Sequence, residues 1–164
     1  MADISGYAIS WNRPAIIAGL FEERFARGAF NQSLIDHPDV AVLWAHDPSR
    51  PLARVSNKTL TLRSDNIGLW YSLTPDERSP MGQEVLASVG SGLVDQVSVG
   101  FSAAEEEWDD RGELPKRLIT KAWLGEISIV LWGAYGRDTS AGLVRAKSKG
   151  GRAEAAMKVR GIPL

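Results

Sequence analysis

The 164-residue chain has no cysteine and only two histidines, His37 and His46. Without cysteine there are no disulfides, no thiol nucleophile and no cysteine-ligated zinc. With two histidines and no HExxH pattern, the usual ligands of a catalytic metal are missing, so neither a metal nor any other cofactor is expected. GSGLVD, at residues 90–95, carries only the first two glycines of a dinucleotide fingerprint. No apolar run approaches the roughly eighteen residues that span a bilayer. The opening segment MADISGYAIS has no basic leader followed by a hydrophobic stretch, so no membrane and no secretory route is expected and a cytosolic setting is the default.

What is present is ordinary for a globular protein: 44% hydrophobic and 24% charged residues. A chain of this length fits one domain that buries about two-thirds of its unfolded surface. The net charge is −1, but unevenly placed. From Arg145 onward, RAKSKGGRAEAAMKVRGIPL holds six Lys or Arg against one Glu, which leaves −6 on the residues before it. A basic, glycine-containing segment of small residues reads as a flexible appendage, with specific nucleic-acid binding the weaker reading. The expected organisation is therefore a domain over 1–144 and a tail over 145–164.

Periodicity along the body predicts mainly strands: 4–10, 40–46, 52–55, 59–63 and 69–73, divided by Pro, Asn, Asp and Gly. Two longer runs, 94–108 and 116–132, flank the turn-forming DDRGEL and predict a hairpin. Helices are few. A short one is expected at 28–35. A better one is expected at 79–89, where Ser79 can cap, Pro80 suits the first position, and Met81, Val85 and Val89 share a face. The expected class is mainly β: a small, closed or strongly curved antiparallel barrel with a few peripheral helices.

Three polar residues interrupt these strands. In DQVSVGFS, alternation puts Val97, Val99 and Phe101 on one face and Gln96, Ser98, Gly100 and Ser102 on the other, with Gly100 leaving room for a close approach. His46 closes the apolar run VAVLWAH where scaffold gives way to loop, whereas His37 in IDHPD reads as a solvated or capping residue. Glu126 sits in AWLGEISIV, where a carboxylate is costly unless paired or wet. Each has a bland explanation by itself: a serine on the wetter sheet face, a strand-end histidine, a solvated glutamate. Together they suggest one arrangement, with Ser98 as nucleophile, His46 as base and Glu126 as the group that orients it. The chain order His, Ser, acid matches none of the commoner triad folds.

The ordered segments GYA, RGAFNQSL, LWAHDPSRPLAR, SVGF and LGEISIV resemble the successive motifs of the prohead maturation proteases of tailed bacteriophages, a serine protease family similar in fold to herpesvirus assemblin. The resemblance covers roughly residues 4–134. It implies a small β-barrel ringed by helices, a catalytic histidine in the HD motif (His46), a nucleophile in SxGF (Ser98) and a third member in the ExS segment (Glu126). Oxyanion donors are implied after the ExS strand, in Gly133, Ala134 and the stretch to Gly136, assisted by Arg137. There the chain has WGAYGR in place of the family's usual Pro-Ala pair.

The same resemblance implies, as substrate, the scaffolding segment of the major capsid protein or a separate scaffold protein, cleaved inside the assembling procapsid in the bacterial host's cytoplasm. It also implies a homodimer or higher self-association. Two alternatives stay open: a catalytically inert capsid-assembly module of the same fold, and a Ser-Lys hydrolase with Lys116 or Lys121 as base.

Overall fold

A computed structural model describes residues 2–145, so the tail expected at 145–164 lies outside the described residues except for Arg145, which ends the last strand. In chain order the elements are β1 (Ala2–Ser10), β2 (Ala15–Ile17), β3 (Phe21–Phe25), α1 (Asn31–Asp36), β4 (Ala41–Trp44), β5 (Asp47–Arg54), β6 (Leu60–Ser64), β7 (Gly68–Leu73), α2 (Pro80–Gly90), β8 (Gln96–Asp109), β9 (Lys116–Val130), a one-turn 3-10 helix (Gly136–Asp138) and β10 (Gly142–Arg145). None of these helices is long and apolar enough to cross a membrane.

The class is mainly β, as expected, but the strands form two open sheets. One runs β10-β1-β7-β6, all antiparallel. The other runs β2-β3-β9-β4-β5, with β8 also paired to β9. A closed antiparallel barrel is not what these pairings describe. The second sheet is mixed, because β3 and β4 both lie parallel to β9.

The expected hairpin is present as β8 and β9, with Gln96 opposite Val130 at one end and Asp109 opposite Lys116 at the other. The other edge of β9 is shared in series. Its first part pairs with β3 (Glu22 opposite Lys116) and its last part with β4 (Ala41 opposite Glu126). In the gap between them, α1 and the turn before it supply the missing partners. Ala122 N–H donates to Ala29 C=O at 2.9 Å, and Leu124 N–H to the buried Ser33 hydroxyl at 2.9 Å. Backbone groups at the centre of a sheet cannot be left unpaired, so a serine in a short helix completes the ladder. This crossover through α1 carries β4, and with it His46, to the far end of β9.

One apolar cluster takes side chains from both sheets: Ile4 and Ala8 from β1, Leu69, Tyr71 and Leu73 from β7, Val97 from β8, and Ile119, Ile127 and Ile129 from β9. Phe25 lies at its centre, its ring 4.9 Å from Phe101 and 5.2 Å from Phe30. The inward valines and phenylalanine of β8 therefore do what alternation predicts. Helix α2 begins as the sequence indicates, with Ser79 Oγ accepting from Gly82 N–H at 2.9 Å and Pro80 at the first turn. Its apolar residues Val85 and Val89 are buried.

Candidate active site

The site is assembled where β4 ends against the C-terminal half of β9. Trp44 lies opposite Asp47, and between them Ala45 and His46 both have positive φ, +52° and +60°. This is the backbone pattern of a type I′ turn, which favours Asn-Gly. Neither Ala nor His is suited to it, and left-handed backbone at such residues costs on the order of 1–3 kcal/mol each. Two contacts with β9 hold the turn: Ala45 N–H donates to Ile129 C=O and His46 N–H to Ser128 Oγ, both at 3.0 Å. Beyond the turn, Asp47 Oδ1 accepts from the N–H and hydroxyl of Ser49. Arg50 reaches Glu84 on α2 at 2.5 Å.

The turn directs the imidazole of His46 onto Glu126, with Nδ1 2.5 Å from Oε1. The two residues are 80 positions apart in sequence. The histidine side chain is 45% exposed and the glutamate 19%, so the imidazole faces solvent while its partner is mostly covered. The second carboxylate oxygen, Oε2, accepts the Ser128 hydroxyl at 2.6 Å. Glu126 is therefore not the solvated strand glutamate of its bland reading.

Ser98 stands on the adjacent strand, directly opposite Ser128, just as Gly100 stands opposite Glu126. Residues that face each other across an antiparallel pair project to the same side of the sheet, with Cβ atoms about 5 Å apart. Ser98, Gly100, Glu126 and Ser128 thus share one face, the face onto which His46 folds. Among the described residues neither the Ser98 hydroxyl nor His46 Nε2 has a hydrogen-bond partner. The space left by Gly100 receives a side chain rather than another backbone: a Cβ there would lie 2.5 Å from Glu126 Oε1.

A model of the caudovirus prohead serine protease family matches residues 1–152. The chain belongs to that family. No curated protein could be matched to it. The prohead protease family is a family of serine peptidases, and the serine-bearing strand, the histidine turn and the acidic strand just described all fall within the matched span.

The remaining segment expected to contribute, residues 133–137, covers the outer edge of β8 beside Ser98. Val97 N–H turns away to Thr139 Oγ1 at 3.0 Å, and a Cβ on Gly133 would come within 2.6 Å of Val97 C=O. Gly133 N–H is occupied by the Gln96 side chain at 2.9 Å and Gly136 N–H by Gly133 C=O, so the donors left uncommitted among the described residues of this loop are the N–H groups of Ala134, Tyr135 and Arg137. Arg137 is 90% exposed and faces Asp95 at 4.0 Å. It lines a cleft of about 630 Å³ with Trp11, Arg13 and Asp138, which contains none of His46, Ser98 or Glu126. Proton transfer needs donor–acceptor contact rather than volume, and the contact between His46 and Glu126 lies outside this cleft.

Three contributors are absent from the sequence reading. Ser128 is fully buried and its hydroxyl is committed to Glu126. Its position two residues from Glu126 on the same strand face was the available signal. The other two are Glu23 and Tyr135: the Tyr135 hydroxyl donates to Glu23 Oε1 at 2.8 Å, while Arg117 donates to Oε2 at 2.8 Å. This buried pair ties the 133–137 loop to β3. Nothing local in the sequence links positions 112 residues apart. His37, by contrast, caps the C-terminus of α1 as read, with its ring edge-on to Trp123.

Proposed function

We propose that this chain is a serine endopeptidase of procapsid maturation in which Ser98 is the nucleophile, His46 the general base and Glu126 the group that orients the imidazole. The 2.5 Å contact between His46 Nδ1 and Glu126 Oε1, beside a serine-bearing strand, carries the reading. With Nδ1–H donated to the carboxylate, Nε2 keeps its lone pair for the Ser98 hydroxyl.

Ser98 Oγ attacks the scissile carbonyl carbon while Nε2 accepts its proton, general-base help worth about 10²- to 10⁴-fold. The developing oxyanion is bound by N–H groups of the 133–137 loop, for which Ala134, Tyr135 and Arg137 carry the uncommitted donors. Collapse of the adduct breaks the C–N bond, and the imidazolium returns its proton to the leaving amine. Water then attacks the acyl-enzyme with His46 again as base, releasing the acid and Ser98.

Membership of the prohead protease family supports a capsid or scaffold substrate: the scaffolding segment of the major capsid protein, or a separate scaffold protein, cut inside the assembling procapsid in the host cytoplasm. Self-association belongs to the same proposal. A lysine base is disfavoured by the register: Lys121 and Lys116 lie seven and twelve residues back along β9 from Ser128, about 20 Å or more at strand rise.

The test is fluorophosphonate labelling with peptide mapping, alongside co-expression with the cognate capsid protein. Label on Ser98, lost in both Ser98→Ala and His46→Ala, with capsid cleavage lost in parallel, is the expected result. A folded protein that takes no label is the inert assembly module instead.

A further inference from the structure

We propose that Ser128 is a positioning residue, whose hydroxyl at once restrains the left-handed turn that bears His46 and fixes the rotamer of Glu126. The proposal rests on the serine protease reading above.

The three residues close a ring. His46 N–H donates to Ser128 Oγ at 3.0 Å, Ser128 O–H donates to Glu126 Oε2 at 2.6 Å, and Glu126 Oε1 meets His46 Nδ1 at 2.5 Å. A hydroxyl has one proton and two lone pairs, and here the proton goes to the carboxylate while a lone pair takes the backbone N–H of the turn. The same atom therefore sets both the backbone and the partner of the imidazole. Ser128 is fully buried, flanked by Leu43 on β4 and Ser98 on β8, so no water can substitute for it without the strands parting. Its neighbours in alternate register, Ile127 and Ile129, point into the apolar core. A serine at 128 is thus not explained by the core and is explained by the ring.

The need is greatest because the turn is built from the wrong residues. Ala45 and His46 both adopt positive φ without the Asn or Gly that normally allows it. Were the Ser128 bond removed, His46 would relax toward ordinary backbone and its ring would leave both Glu126 and Ser98. Misplacement of about 1 Å at a reacting group can cost roughly 100-fold in rate.

Two measurements test this. In Ser98→Ala protein, the Nδ1 proton of His46 should give a downfield resonance by proton NMR, which is lost or moves upfield when Ser128→Ala is added. In protein with Ser98 intact, Ser128→Ala should slow fluorophosphonate labelling about 10- to 100-fold. Adding Ala45→Asn, at an exposed site suited to left-handed backbone, should recover several-fold of that loss. An unchanged resonance or labelling rate in folded Ser128→Ala protein overturns the proposal. So does a loss that Ala45→Asn leaves untouched. If the alanine protein does not fold, Ser128→Thr carries the test, since it keeps the oxygen: retention of the resonance supports the ring and its loss from a folded protein defeats it. Failure of the protease reading looks different, because the protein with Ser128 intact would then not label at all, while the resonance still decides the role of Ser128.

Discussion

Gly100 lies directly against the Glu126 carboxylate, so close that a Cβ at position 100 would sit 2.5 Å from Oε1. The glycine is required by a side chain across the strand pair and not by its own backbone angles, since its φ lies outside the positive range.

Gly100→Ala therefore displaces the end of a flexible side chain and leaves β8 in place. The carboxylate loses its 2.5 Å contact with His46, and labelling of Ser98 should fall by about 100-fold. Thermal melting should change little. An unaltered labelling rate would mean that the orientation of Glu126 is not needed for activating the serine.

Tyr135→Phe removes the hydroxyl that ties the 133–137 loop to Glu23. Burial, and after it the Glu23 carboxylate, push the phenol well above its ordinary pKa, so it stays a donor at working pH. Without it, Glu23 Oε1 keeps its desolvation but loses its partner, at a cost of about 1–3 kcal/mol. Chemical denaturation should report that loss. If the loop supplies oxyanion donors as proposed, turnover on a capsid-derived peptide should fall in kcat more than it rises in KM. A change confined to KM would remove this loop from oxyanion binding.

Asp65 is one carboxylate expected to contribute to acid stability. Burial alone would raise its pKa, but the Tyr7 hydroxyl at 2.6 Å, the N–H groups of Gly68 and Ile67, and Arg63 outweigh burial and hold the carboxyl below its ordinary value. A depressed folded pKa contributes stability that is complete above the unfolded value, about 4, and is lost as pH falls through the folded value. Asp65→Ala should cost about 1–3 kcal/mol at neutral pH by stranding these donors, and the acid limb of a stability-versus-pH curve should become shallower below about pH 4. An identical slope in the variant would assign the acid transition to other carboxylates.

Ser79→Ala takes away the cap of α2, whose Oγ receives the Gly82 N–H. The expected loss is about 1 kcal/mol in denaturation midpoint terms, with labelling of Ser98 preserved. Because Glu84 on this helix pairs with Arg50 just past the histidine turn, a drop in labelling larger than the stability loss would reveal that α2 supports the turn directly.

Much of this molecule was legible from local pattern. Alternation along residues 96–102 set which side of β8 carries Ser98, DDRGEL marked the β8–β9 turn, and Ser79-Pro80 marked the start of α2, because each depends on neighbours a few residues away. His46, Ser98 and Glu126 stood out for a related reason: each is polar where the surrounding strand is apolar. The arrangement of the sheets was decided at a longer range. Strands β3 and β4 meet β9 in parallel across about ninety positions of chain, and no turn residue records such a pairing, so an antiparallel barrel was the natural expectation. The Ala45–His46 turn runs against its own local preference, and its N–H groups are accepted by Ile129 and Ser128 from the distant strand β9. The sequence by itself determined which residues were available for chemistry; tertiary hydrogen bonds, whose energy can outweigh a local backbone penalty, decided that His46 and Glu126 would meet.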